Sequence, residues 1–184
     1  SYMTINAGNA TNNNLTITEG EDLVVKDEKN TKTNDNGDTT DLRFRFKPGT
    51  KGQVKIQETM RWLDVEDIPE GSTVADESLL DPNNDNPKKP KIIVDKAPKN
   101  KDGKRYVDLV ITEWVVDVEP GHVQELNHEF TTDNDLTIQG TDLKLIKGEE
   151  LLKSKPEEGS IMKLEPKREA EGTVVVENRT NDGY

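Results

Sequence analysis

Thirteen residues from Tyr106 to Val118 carry apolar side chains on both parities of an extended chain. Val107, Leu109, Ile111 and Val115 fall on one parity, and Tyr106, Val110, Trp114, Val116 and Val118 on the other. A strand that is apolar on both faces is covered on both, so this stretch predicts a central strand with Trp114 in the core. Around it the pattern is also that of strands. Leu42-Arg43-Phe44-Arg45-Phe46 alternates apolar with cationic residues at period two, as a strand with one face in the core and one in water does. Val54, Ile56, Met60 and Trp62 hold one parity from Gln53 to Trp62, but Glu58 occupies the place between Ile56 and Met60. A bulge or an edge position is expected to keep that carboxylate wet. Helix has little room: Val74 to Leu80 allows one short turn and Glu149 to Lys153 another, which Pro156 ends.

Two internal echoes point to β units. Asn14-Leu15-Thr16-Ile17 and Asp135-Leu136-Thr137-Ile138 each lead through a glycine, Gly20 or Gly140, to Asp-Leu at 22–23 and 142–143. Both are expected to be strand, turn, strand. Ile56 to Val65 and Ile111 to Val118 form the second echo, each a Trp-bearing strand running into an acidic turn. Because the first echo opens its unit and comes late in the second, chance similarity among β-hairpins explains it better than tandem duplication. Composition then divides the chain. Residues 1–14, rich in Asn, predict a flexible N-terminal tail or a frayed first strand; 15–66 a first β unit; 67–104, with Pro69, Pro82, Pro87 and Pro90, a linker or long loop; and 105–184 a second β unit. The expected fold is mostly β, of immunoglobulin-like sandwich type, as one elaborated domain or two small sandwiches. Leu, Ile, Val and Phe make up 42 of 184 residues. That is just above the level of roughly 20% below which charged chains stay disordered, so the core should be thin and the loops long and polar.

A net charge of −12 argues against nucleic acid and anionic membranes, because affinity for either rests on Lys and Arg neutralising phosphate. No apolar run approaches a membrane span. Cysteine is absent, which removes disulfides, thiolate nucleophiles and sulfur metal sites, and suits a surface protein that never relied on disulfides as well as a cytosolic one. Location stays open, with an extracytoplasmic or cell-surface place favoured over the cytoplasm. Neither a Gly-x-Ser-x-Gly elbow nor a Gly-rich phosphate loop occurs, and no cofactor is expected.

Asp35, Asp38 and Asp41 cluster with Asn34, Asn36 and Gly37 in a fragment of an oxygen-rich calcium loop. The register and closing Glu of such a loop are missing, so an ordinary solvated turn is expected there, and likewise at Asp81 to Asn86. His122 and His128 are expected to be exposed loop histidines, since nothing supplies a third metal ligand at a suitable spacing. Glu58 and Glu113 each interrupt an apolar strand near a Trp, and a carboxylate beside an aromatic such as Trp62 is one way to build a sugar or cation site. Charged residues that protect a strand edge are the commoner reason for such a pattern.

Asn134 to Leu143, with Thr137-Ile138-Gln139-Gly140-Thr141-Asp142-Leu143, resembles the entry hairpin of immunoglobulin-like modules of the IPT/TIG type. The resemblance extends at most to about residue 176, implies a small β-sandwich used as a spacer or binding unit, and carries no catalytic residue onto this chain. The function expected is therefore a non-enzymatic binding or structural module, related to surfaces, adhesion or assembly, with a protein or carbohydrate partner. Its rival is a hydrolase, or another carbohydrate-active protein, using carboxylates near Trp62 or Trp114.

Overall fold

The computed structural model of the chain describes residues 2–8, 10–65, 73–74, 91–93, 105–119, 123–130, 135–168 and 170–180, and their side chains except at 61–109. Thirteen strands form among them: β1 Met3–Asn6, β2 Asn13–Glu19, β3 Val24–Lys26, β4 Lys32–Thr33, β5 Thr39–Phe46, β6 Gly52–Val65 and β7 Thr73–Val74 come first. Then follow β8 Lys91–Ile93, β9 Arg105–Val118, β10 Val123–Phe130, β11 Leu136–Lys147, β12 Gly159–Leu164 and β13 Thr173–Arg179. No α-helix occurs among the described residues. Glu21–Leu23 and Glu149–Leu151 are single 3-10 turns, the second lying where a helical turn was expected. No described helix is long and apolar enough to cross a membrane.

All pairing is antiparallel, in the order β2-β6-β9-β10-β13-β11-β1-β5-β3, with β12 on β11, β4 on β5 and β8 on β9. Strands from the stretches 15–66 and 105–184 therefore share one sheet. That sheet curls: Met3 and Ile5 of β1, Phe44 and Phe46 of β5, Ile56 of β6, Trp114 of β9 and Val174 of β13 belong to one buried cluster. Strand β2, at one end of the order, approaches β5, next to the other end, where the Thr39 backbone N–H donates to Asn14 Oδ1 at 2.8 Å. Burying the inner rows of β1, β2, β3, β5, β6 and β9 to β13 in one core removes far more apolar area from water than an open sheet could.

The period-two pattern at Leu42 to Phe46 is realised in full, with Leu42, Phe44 and Phe46 buried and Arg43 and Arg45 facing outward. Strand β9 is central, between β6 and β10, and Trp114 is fully buried. Its outer row is wetter than the sequence suggests: Glu113, Val115 and Asp117 are only half-buried.

Several expectations change. Met3–Asn6, in the stretch read as a flexible tail or a frayed first strand, is strand β1, paired on both sides between β5 and β11. The echo at 135–146 is no hairpin but the continuous strand β11, with an irregular register between Gln139 and Leu143. At 14–25 there is strand, turn and strand, yet β2 pairs with β6 and β3 with β5. The two echo glycines also act differently. Gly20 sits in a left-handed turn at φ 80°, where a Cβ would run into the Gln53 carbonyl oxygen. At Gly140 a Cβ would come within 2.6 Å of Asn178 Oδ1, the acceptor for the backbone N–H groups of Thr141 and Asp142. The second echo pair, β6 and β9, turn out to be hydrogen-bonded neighbours, with Ile56 opposite Trp114. Most of 67–104, including Asp81 to Asn86 and the expected turn after Val74, lies outside the described residues.

Candidate functional site

Where β11, β1 and β5 run side by side, Thr4 stands opposite Gln139 on one flank and Arg43 on the other. Since Met3, Ile5, Ile138, Leu42 and Phe44 point into the core, alternation turns Thr4, Gln139, Asp41 and Arg43 to the outside. The turn from Asp27 to Thr31 folds over this row. Thr31 Oγ1 donates to the Arg43 carbonyl at 3.3 Å and the Asp27 backbone N–H donates to the same oxygen at 2.8 Å. A cleft of about 310 Å³ results, lined by Thr4, Asn30, Lys32, Asp41, Arg43 and Gln139.

Its charges are paired within the protein. Arg43 donates through Nε to Asp27 Oδ2 at 3.1 Å and through Nη1 to Thr4 Oγ1 at 3.2 Å. The Asn30 amide, and after it Arg43, hold the Asp27 carboxyl below its ordinary value against the opposing effect of burial. Asp41 accepts from Asn6 Nδ2 at 2.7 Å, and its other oxygen lies 3.8 Å from Lys32 Nζ. Beyond the cleft, the guanidinium groups of Arg43 and Arg45 stack on the Tyr2 ring at 4.9 and 5.7 Å.

The second polar cluster is inside. Glu58, on β6 between Leu15 of β2 and Thr112 of β9, is fully buried. A bulge does occur beside it, because β9 carries an extra residue, Ile111, between the partners of Glu58 and Thr59. It does not bring the carboxylate to water, as the sequence had suggested. Instead Glu58 Oε2 accepts from Asn13 Nδ2 at 2.7 Å and from the Gly8 backbone N–H at 3.1 Å, while Oε1 has no partner. Burial pushes the carboxyl up from 4.5 to about 7, and the Gly8 and Asn13 bonds only partly oppose that shift.

Thr112, in the next place along that row, donates through Oγ1 to the Glu129 carbonyl at 3.2 Å and lies 2.8 Å from His128 Nε2. His128 is fully buried, its ring 4.0 Å from that of Trp114 and 4.8 Å from that of Phe130. The expectation of an exposed loop histidine is thus overturned: strand β10 turns position 128 inward, opposite Trp114 and Val174. His122 lies outside the described residues.

The remaining candidates do not converge. Asp35 is exposed in the turn before β5, and Asp41 lines the cleft. The turn at 34–38 is organised by Asn34, whose Oδ1 accepts from the backbone N–H groups of Asn36 and Asp38 and whose Nδ2 donates to the carbonyls of Ala10 and Thr11. Among the described residues no three His, Cys, Asp or Glu side chains are grouped so as to hold a metal ion. Glu113 is half-buried on the outer face, opposite Gln57 and Glu129, whereas Glu58 is inside; the two carboxylates are on opposite faces of the sheet. Trp62 lies opposite Val107 in β6, and its side chain is outside the described set. The cleft residues Thr4, Asn30, Lys32, Arg43 and Gln139 were not singled out by sequence. Only the outward parity of Arg43 was visible, since the cleft depends on the register of three strands distant in the chain. The chain matches no protein-family model, no curated protein and no solved structure.

Proposed function

We propose that this chain is a non-enzymatic binding or structural β module, of the kind that serves a surface, an adhesion or an assembly, and that it contacts its partner through the outer face of the sheet. The observation that carries this reading is the separation of the two polar clusters. Among the described residues, the groups open to a partner sit in a cleft with their charges already compensated, while the one carboxyl with a strongly shifted proton affinity, Glu58, is sealed in the core. Glycoside hydrolysis of the usual kind needs two carboxyl groups within reach of one bond. Glu58 and Glu113 are divided by the sheet itself.

The finer architecture we infer is a sandwich of immunoglobulin-like type, with the IPT/TIG-like stretch contributing β11. The single core and the approach of β2 to β5 support it, since a curled sheet that meets itself encloses its apolar face as two packed sheets do. The test of function is turnover. The full chain, incubated with panels of nitrophenyl glycosides, esters and peptides, should release product no faster than buffer. Catalysis that Glu58→Gln or Glu113→Gln abolishes would establish the hydrolase instead.

A further inference from the structure

We propose that the cleft over β1, β5 and β11 is a binding site for a neutral saccharide, a sugar unit presented by a glycan. The inference rests on the reading of the chain as a binding module and adds the class of ligand. Charge comes first. Lys32 and Arg43 are offset by Asp41 and Asp27 at 3.8 and 3.1 Å, so the cleft has no net charge with which to hold an ion. An anion would meet the Asp41 carboxylate, an Arg43 already paired with Asp27, and the field of a chain with a net charge of −12. A cation would meet an ammonium and a guanidinium.

The lining is also wrong for an apolar guest. Ligand pockets for such molecules are walled mostly by hydrophobic and aromatic side chains; here all six lining residues are polar or charged. What the walls offer is a mixed set of donors and acceptors. Gln139 is exposed and presents both an amide oxygen and an NH2 group. Asn30 spends its NH2 group on Asp27 and keeps its oxygen. Lys32, with a side chain 73% exposed, keeps N–H donors beyond its contact with Asp41. A sugar hydroxyl donates one hydrogen bond and accepts others, so vicinal hydroxyls suit carboxylate, amide and ammonium groups held a few ångströms apart. At about 310 Å³ the cleft lies at the low end of the range for ligand sites, which suits a single sugar unit. Its openness to solvent and polar walls set the affinity on the order of 1 mM.

The experiment is a titration of the 15N-labelled full chain, followed by amide NMR, with glucose, galactose, mannose, N-acetylglucosamine, maltotriose, cellotriose and chitotriose. Gluconate and sulfate are run alongside. At least one neutral saccharide should move the resonances of Thr4, Arg43 and Gln139, and Gln139→Ala, at an exposed position, should weaken that binding about tenfold without altering the rest of the spectrum. Lys32→Ala serves as a second variant and should weaken it as well. If no neutral saccharide shifts these resonances at tens of millimolar, or if gluconate or sulfate does so more strongly, the assignment is overturned. Mass spectrometry of the titrated sugar separates the two readings: cleavage refutes the non-enzymatic function while leaving the site, and an intact, bound sugar supports both.

Discussion

Replacing Glu58 by Gln should flatten the dependence of stability on pH. In the folded chain the carboxyl titrates near 7, against an ordinary value of 4.5 once the chain unfolds. Between those two values the native state holds a proton that the unfolded state has released. Its contribution to stability is therefore complete below pH 4.5 and is lost as pH rises through about 7. At about 1.36 kcal/mol per pH unit the loss amounts to about 3 kcal/mol. Gln is neutral throughout and keeps an oxygen for the Gly8 and Asn13 donors. Its amide NH2 can also donate to Asn13 Oδ1, which has no partner in the wild-type core. Urea unfolding of both proteins from pH 4 to 9 isolates the effect, because the other carboxylates cancel in the difference. The two should be similar in stability near pH 4.5, and the variant should lead by about 3 kcal/mol at pH 8, with unchanged denaturant slopes. A difference that stays constant across that range would show that Glu58 is ionised in the fold, and the account of its burial would be wrong.

Trp114→Ala should cost about 3–5 kcal/mol, because it empties a fully buried site packed on the His128 ring; an unchanged melting temperature would contradict that placement. Gly20→Ala should cost more than the roughly 1–2 kcal/mol of a left-handed backbone, since its Cβ also meets the Gln53 carbonyl. Thermal melts read this directly, and a loss below about 0.5 kcal/mol, the scale of an ordinary surface substitution, would rule the geometry out. Chelation should leave the melt in place, because Asp35, Asp38 and Asp41 do not form a ligand group. A calcium-dependent gain of about 2 kcal/mol or more would reveal a true site in that turn.

How much of this could be read from the sequence depends on whether the signal is local. The alternation at Leu42 to Phe46 and the apolar run at Tyr106 to Val118 fix strand, face and burial of Phe44 and Trp114, because side-chain direction follows from the chain's own period of two. Glu58 shows the limit. Its apolar parity places it on the inner face, yet its partners are 45 and 50 residues away, at Asn13 and Gly8. In a stretch full of Asn nothing marks Asn13 as the one that enters the core. Without that partner a dry carboxylate looks too costly, and an exit to water is the natural expectation. His128 was missed for a similar reason: the bounds of β10 were not recognised, so its parity could not be used.

The candidate site was illegible for the same reason, and β1 is where that is decided. Four residues, Met3–Asn6, in an Asn-rich segment have the composition of a tail. They form a strand because β5 and β11 offer ladders on both sides and the core takes Met3 and Ile5, so pairing and burial override a weak local preference. The floor of the cleft follows from this insertion, while the turn from Asp27 to Thr31 and Lys32 supply the wall that folds over it. Thr4 reaches Arg43 from β1, Asn6 orients Asp41 from β1, and without that strand Gln139 and Arg43 would not flank a common row. The segment with the least secondary-structure signal thus sets the geometry of the outer face, and residue-by-residue reading could find Asp41 without finding what it lines.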